Sequence, residues 1–141
     1  MIRKKNRILA LICAVMMLFS VTTAASALEF SPFSSAQISS SKITVTPLSG
    51  GQIKIKCEVA GTDVMDKIGI DSIAIYEEQG SGWFLADDYS GDYRSNYPLY
   101  SGSYYFDGVP GTRYKIVAGV FATNSAGTDT IYETYIVTAK S

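Results

Sequence analysis

From Lys42 the pattern changes to runs in which apolar and polar residues alternate with a period of two, the pattern of strands that bury one face and wet the other. Ile43-Thr44-Val45-Thr46 predicts a first strand ending at Pro47. Ser49-Gly50-Gly51 reads as a hairpin turn and Gln52–Ala60 as its return strand. Asp63–Asp71 contains VMDKIG, which predicts one helical turn between sheets, and Ser72–Glu78 is the third strand. Gln79–Gly82 turns the chain into a short fourth strand, Trp83–Asp87. A long irregular segment then leads to a fifth, Gly102–Asp107. Arg113–Thr123 is the sixth, Asn124–Gly127 a turn, and Asp129–Thr138 the seventh. The expected fold class is therefore all-β: a seven-stranded antiparallel two-sheet sandwich of immunoglobulin or fibronectin type III-like build, with a closed barrel as the alternative.

Residues before Lys42 follow a different pattern. Arg3, Lys4, Lys5 and Arg7 precede an apolar run from Ile8 to Phe19, which closes on Ala25-Ser26-Ala27. This is the charge, apolar run and small-x-small sequence of a signal peptide cleaved after Ala27. The run is short for a membrane span, so the expectation is a secreted, extracellular protein with no membrane contact after cleavage. Leu28–Ser41, serine-rich around Phe30 and Phe33, reads as an amino-terminal arm, and residues 42–141 as the β-sandwich domain.

Cleavage leaves 114 of the 141 residues, enough for one domain. All thirteen acids lie beyond Ala27 while four of the twelve bases precede it, leaving a charge of −5. Nucleic acid and anionic membranes are thus expected to be poor partners. One cysteine, Cys57, remains. It alternates with Ile53, Ile55 and Val59 on one strand face, so core packing is its expected role, with a reactive thiol as the sharper alternative.

The stretch Pro110-Gly111-Thr112-Arg113-Tyr114, followed by alternating Ile116, Ala118, Val120 and Ala122 and then Asn124 and Gly127, resembles the corner and following strand of fibronectin type III domains. The resemblance implies that Tyr114 is a structural corner, its hydroxyl tying the strand to the preceding turn. This chain lacks the family's tryptophan on the second strand. Its interval from Tyr114 to Asn124 is longer by one side-chain period, which preserves the facing of later residues. The stretch VMDKIGIDSIAIYE and the tyrosine-rich segment after it are similar to short secreted proteins of Gram-positive bacteria grouped only as a domain of unknown function.

The chain has no histidine, which removes the usual general base, the Ser-His and Cys-His nucleophiles and the commonest zinc ligand. Asp87, Asp88 and Asp92 cluster, but DDYSGD lacks the ligand spacing of a calcium loop. No enzyme, metal or cofactor is expected: the chain reads as a non-catalytic binding module, with a structural or self-associating extracellular protein as the alternative and a carboxylate glycosidase as a distant one. Two surfaces remain as binding candidates. Asp88–Tyr105 holds six of the ten tyrosines. Trp83, Tyr89, Tyr93, Tyr97 and Tyr100 are the proposed ligand contacts there, for a protein or a glycan, against the alternative that the rings only pave a long loop. Strand alternation supplies the second surface. With Tyr114 and Ile116 inward, Val117 and Phe121 point outward beside Tyr76, to be covered by the arm, by a partner or by another copy of the chain.

Overall fold

The structure, a computed structural model, describes residues 35–141. The expected signal peptide, its cleavage site and the arm residues Phe30 and Phe33 lie outside the described residues. Six antiparallel strands form one curled sheet: β1 (Ile38–Pro47), β2 (Gln52–Gln79), β3 (Gly82–Tyr89), β4 (Asp92–Asp107), β5 (Arg113–Asn124) and β6 (Gly127–Thr138). Among the described residues the sole helical piece is a 3-10 turn at Ser49–Gly51, where Gly50 adopts the positive φ that glycine tolerates.

β2 is the spine. Along one edge it pairs first with β1, from Pro47↔Ile53 to Ile38↔Gly61, and then with β5, from Lys67↔Thr123 to Glu77↔Tyr114. Along the other edge it pairs with β4, from Gln52↔Asp107 to Ile70↔Asp92, and then with β3 up to Gln79↔Gly82. β6 completes the sheet in unbroken register on β5. β1 and β6 share no ladder, and single contacts close the gap between them. Tyr135 donates its hydroxyl to the Ile43 carbonyl at 2.9 Å, and Asp129 accepts from the Ser35 hydroxyl at 2.6 Å and the Gln37 N–H at 2.8 Å.

Two expectations are corrected. The predicted second and third strands are one 28-residue strand, and the helical turn expected at Asp63–Asp71 is extended backbone within it, which lowers the strand count from seven to six. The cause is pairing: Lys67–Ile70 is flanked by both β4 and β5, so its N–H and C=O groups find partners in a ladder that a local turn would forfeit. Register shifts at Ala60/Met65 and at Ile70/Ser72 change which residues face the core, from Ile53, Ile55, Cys57 and Val59 to Ile68 and Ile70 and then to Ile73 and Ile75. The segment expected to be irregular after Asp87 is also strand from Asp92 onward. Positive φ at Gly91 and at Asn96 lets it follow the bend of β2.

The inner face holds the core. Ile53, Ile55, Ile68, Ile75, Ile116 and Val120 are fully buried, with Tyr114 beside them. On β5 the expected alternation holds residue by residue: Tyr114, Ile116, Ala118, Val120 and Ala122 are all buried.

Candidate functional site

The tyrosine-rich run is divided by the sheet. Tyr100 is only 6% exposed and donates its hydroxyl to Asp92 at 3.0 Å. Tyr89 stacks on Tyr104 with centroids 4.7 Å apart, and Tyr104 donates to Asp87 at 2.6 Å. These rings line the core margin where β3 meets β4. Burial and the bond to Asp92 push the Tyr100 phenol up to about 12, and the bond to Asp87 followed by burial pushes Tyr104 up to about 12. Tyr93 and Tyr97 stand outside instead, 49% and 43% exposed.

On the outer face of β2 and β5, two aromatic groups stand apart, each holding a lysine. In the first, Lys115 places its Nζ 4.9 Å from the Tyr76 ring centroid and 5.3 Å from that of Trp83. Register explains the meeting: Lys115 is opposite Tyr76, and Trp83 lies opposite Glu78, two residues along the same face. In the second, Lys67 Nζ sits 4.9 Å from the Tyr93 ring, which meets Phe121 edge-on at 6.4 Å. Tyr93 and Phe121 both pair with Gly69, one from each side, and the missing side chain lets the rings approach across β2. A Cβ at Gly69 would strike the Asp92 carbonyl oxygen and the backbone of Tyr93.

Between the two groups the floor is low. Ser72, Ala74, Val117 and Gly119 occupy it, and the Tyr132 ring lies over Gly119 with its hydroxyl donated to Asp71. Tyr76, Val117 and Phe121, the expected outer residues, are thus on one face and half-buried, with Trp83 and Tyr93 joining them from β3 and β4. Tyr97 pairs instead with Arg94, whose guanidinium is 5.1 Å from its ring, and Lys54 covers Tyr105 at 5.8 Å on the β1–β4 half of the sheet.

The lysines are what sequence reasoning missed. The described residues carry eight cations: Lys42, Lys54, Lys56, Lys67, Arg94, Arg113, Lys115 and Lys140. Four of them, Lys54, Lys67, Arg94 and Lys115, lie over aromatic rings, and among the described residues no carboxylate stands within ion-pair distance of these four. The ion-paired cations are different ones, Lys56 with Glu58 at 2.9 Å and Arg113 with Glu78 at 2.8 Å. A period of two puts Lys115 on the face of Val117 and Phe121, but a helical turn over Asp63–Asp71 leaves the facing of Lys67 unread.

Other chemistry is accounted for by packing. Asp87 and Asp92 are taken by Tyr104 and Tyr100, and among the described residues no group of three or more His, Cys, Asp or Glu converges to hold a metal ion. Cys57 is fully buried, and burial, reinforced by the negative charge of Glu133, pushes its thiol up to about 11, away from the reactive thiolate. A depression of about 340 Å³ bordered by Lys42, Glu58, Leu99 and Tyr100 is open to solvent. No protein-family model and no curated protein matches this chain.

Proposed function

We propose that this chain is a secreted, non-catalytic binding module that recognises a protein or glycan outside the cell through the aromatic outer face of β2, β3, β4 and β5. The observation carrying this reading is the grouping of Tyr76, Trp83, Tyr93 and Phe121 on one face of a sheet whose core lies on the other. Half-exposed rings on a rigid strand scaffold supply contact area at little entropic cost. Such a face suits recognition of an extended ligand better than enclosure of a small one.

The fold belongs to the proposal at its finer level. Ladders from the first part of β2 to β1 and to Leu99–Asp107 of β4, and from its second part to β3 and β5 with β6 beyond, support a fibronectin type III-like sandwich in which two strands are fused into β2. The corner supports the same reading, because the Tyr114 hydroxyl is tied to the turn by the Val109 N–H at 2.8 Å.

Binding and paving are separated by paired variants. Tyr93→Ser with Tyr97→Ser is expected to cost no more than about 1 kcal/mol in urea unfolding, whereas Tyr100→Ser costs about 3 kcal/mol or more. Screening the secreted chain against glycan arrays and extracellular protein extracts should give a ligand whose binding falls with Trp83→Ala and with Tyr93→Ser. A loss of stability for the double variant as large as for Tyr100→Ser, with no ligand found, would leave the rings as structural paving.

A further inference from the structure

We propose that the outer face takes an acidic polysaccharide, with its sugar rings against Trp83, Tyr76 and Tyr93 and its anionic groups against Lys115 and Lys67. This rests on the binding-module reading and gives it a ligand class. The argument starts from charge placement. In a chain with surplus acid, carboxylates are plentiful enough to neutralise two lysines on one face, yet both are held by aromatic rings and neither is ion-paired among the described residues. Two carboxylates on this face are already engaged, Glu78 by Arg113 and Asp71 by Tyr132, while Asp88 stands at the β3 margin opposite Ala74.

A ring-held ammonium is a positioned charge. The aromatic face attracts one side of it and restricts the lysine stem, so a ligand anion meets the group with part of its ordering already done. A neutral sugar stacking on the same rings gains nothing from the ammonium and must push it aside. An acidic sugar uses both, stacking on the ring and placing its anion beside the nitrogen. Tyr76 and Trp83 around Lys115, and Tyr93 with Phe121 beside Lys67, repeat that combination twice.

The repeat also sets the form of the ligand. From Lys115 to Phe121 is a span of about 20 Å at the usual strand rise. The floor between is Ser72, Ala74, Val117 and Gly119, with the Tyr132 ring lying over Gly119. One sugar unit cannot reach both groups, so a polymer gains a second contact by linkage that a monosaccharide lacks.

Calorimetry of the secreted chain with polygalacturonate, galacturonic acid and dextran tests this. Polygalacturonate is expected to bind, with affinity falling as salt rises, while the monomer binds far more weakly and dextran does not bind. Lys67→Gln and Lys115→Gln should each weaken binding about threefold to fivefold, in line with exposed charge pairs. Lys115→Arg retains binding, and Lys54→Gln, on the other half of the sheet, has no effect. Equal binding of dextran, indifference to Lys67→Gln and Lys115→Gln, or an equal loss with Lys54→Gln overturns the acidic-ligand inference. Binding of a protein alone overturns it too and leaves the binding-module reading standing. If neither polysaccharide nor protein binds, both fall.

Discussion

Tyr114 is the residue in which core and turn meet. Its ring is 2% exposed and packs edge-on against Phe106 at 5.1 Å, while its hydroxyl accepts the Val109 N–H. Tyr114→Phe keeps the ring and strands that N–H, so about 1 kcal/mol of stability should be lost in urea unfolding. An unchanged midpoint would show that water replaces the bond at no cost. The sequence made this role legible because a tyrosine at a corner has one place for its ring and another for its oxygen. The expected tie from the hydroxyl to the preceding turn takes the form of a donor in the turn, the Val109 N–H. Cys57 was equally legible, since Ile53, Ile55 and Val59 fix the facing of its strand and all four are buried.

Among the elements, β5 was readable and β2 was not, for a common physical reason. β5 keeps one register with β6 throughout, so a side chain's parity gives its face. β2 changes facing twice, and the polar run Thr62-Asp63 with Asp66-Lys67 hides a strand that is held by two neighbours. β4 was hidden differently: Asp92–Leu99 is exposed on both faces and contains Asn96 and Pro98, so its alternation is lost where it forms an edge. With β4 misread as a loop, the division between inward Tyr100 and outward Tyr93 was out of reach, and with it the lysine groups. The closure of β1 on β6 is also an element-scale property, and it is expected to depend on pH. Bonds from Ser35 and Gln37 hold the Asp129 carboxyl below its ordinary value of 3.8. A lowered folded pKa stabilises the fold above the unfolded value and loses that contribution as pH falls through the folded one. Thermal melts are therefore expected to fall as pH drops below about 4, and Asp129→Asn should melt lower at neutral pH with a shallower acid decline. An acid decline as steep as the parent's would remove Asp129 from the account.

For the whole molecule, the aromatic outer face is backed by the core, so on the proposed reading recognition and stability sit on opposite sides of the same strands. Val117 and Phe121 alternate with Ile116, Ala118, Val120 and Ala122, so outward substitutions on β5 alter the surface without opening the interior. The fused β2 adds a consequence for how the molecule comes apart. In a sandwich whose layers are joined by flexible links, one layer can open while the other persists, giving separate units of hydrogen exchange. Here β1 and β4 at one end and β5 and β3 at the other are paired to the same uninterrupted strand. Freeing either end loosens the backbone to which the other is registered. Amides near Ile55 and near Ile75 should therefore exchange through one event of equal free energy, and a lower opening energy at either site would show that the bend uncouples them. On this account the described strands are expected to resist local opening along β2 and to lose structure in a single cooperative step.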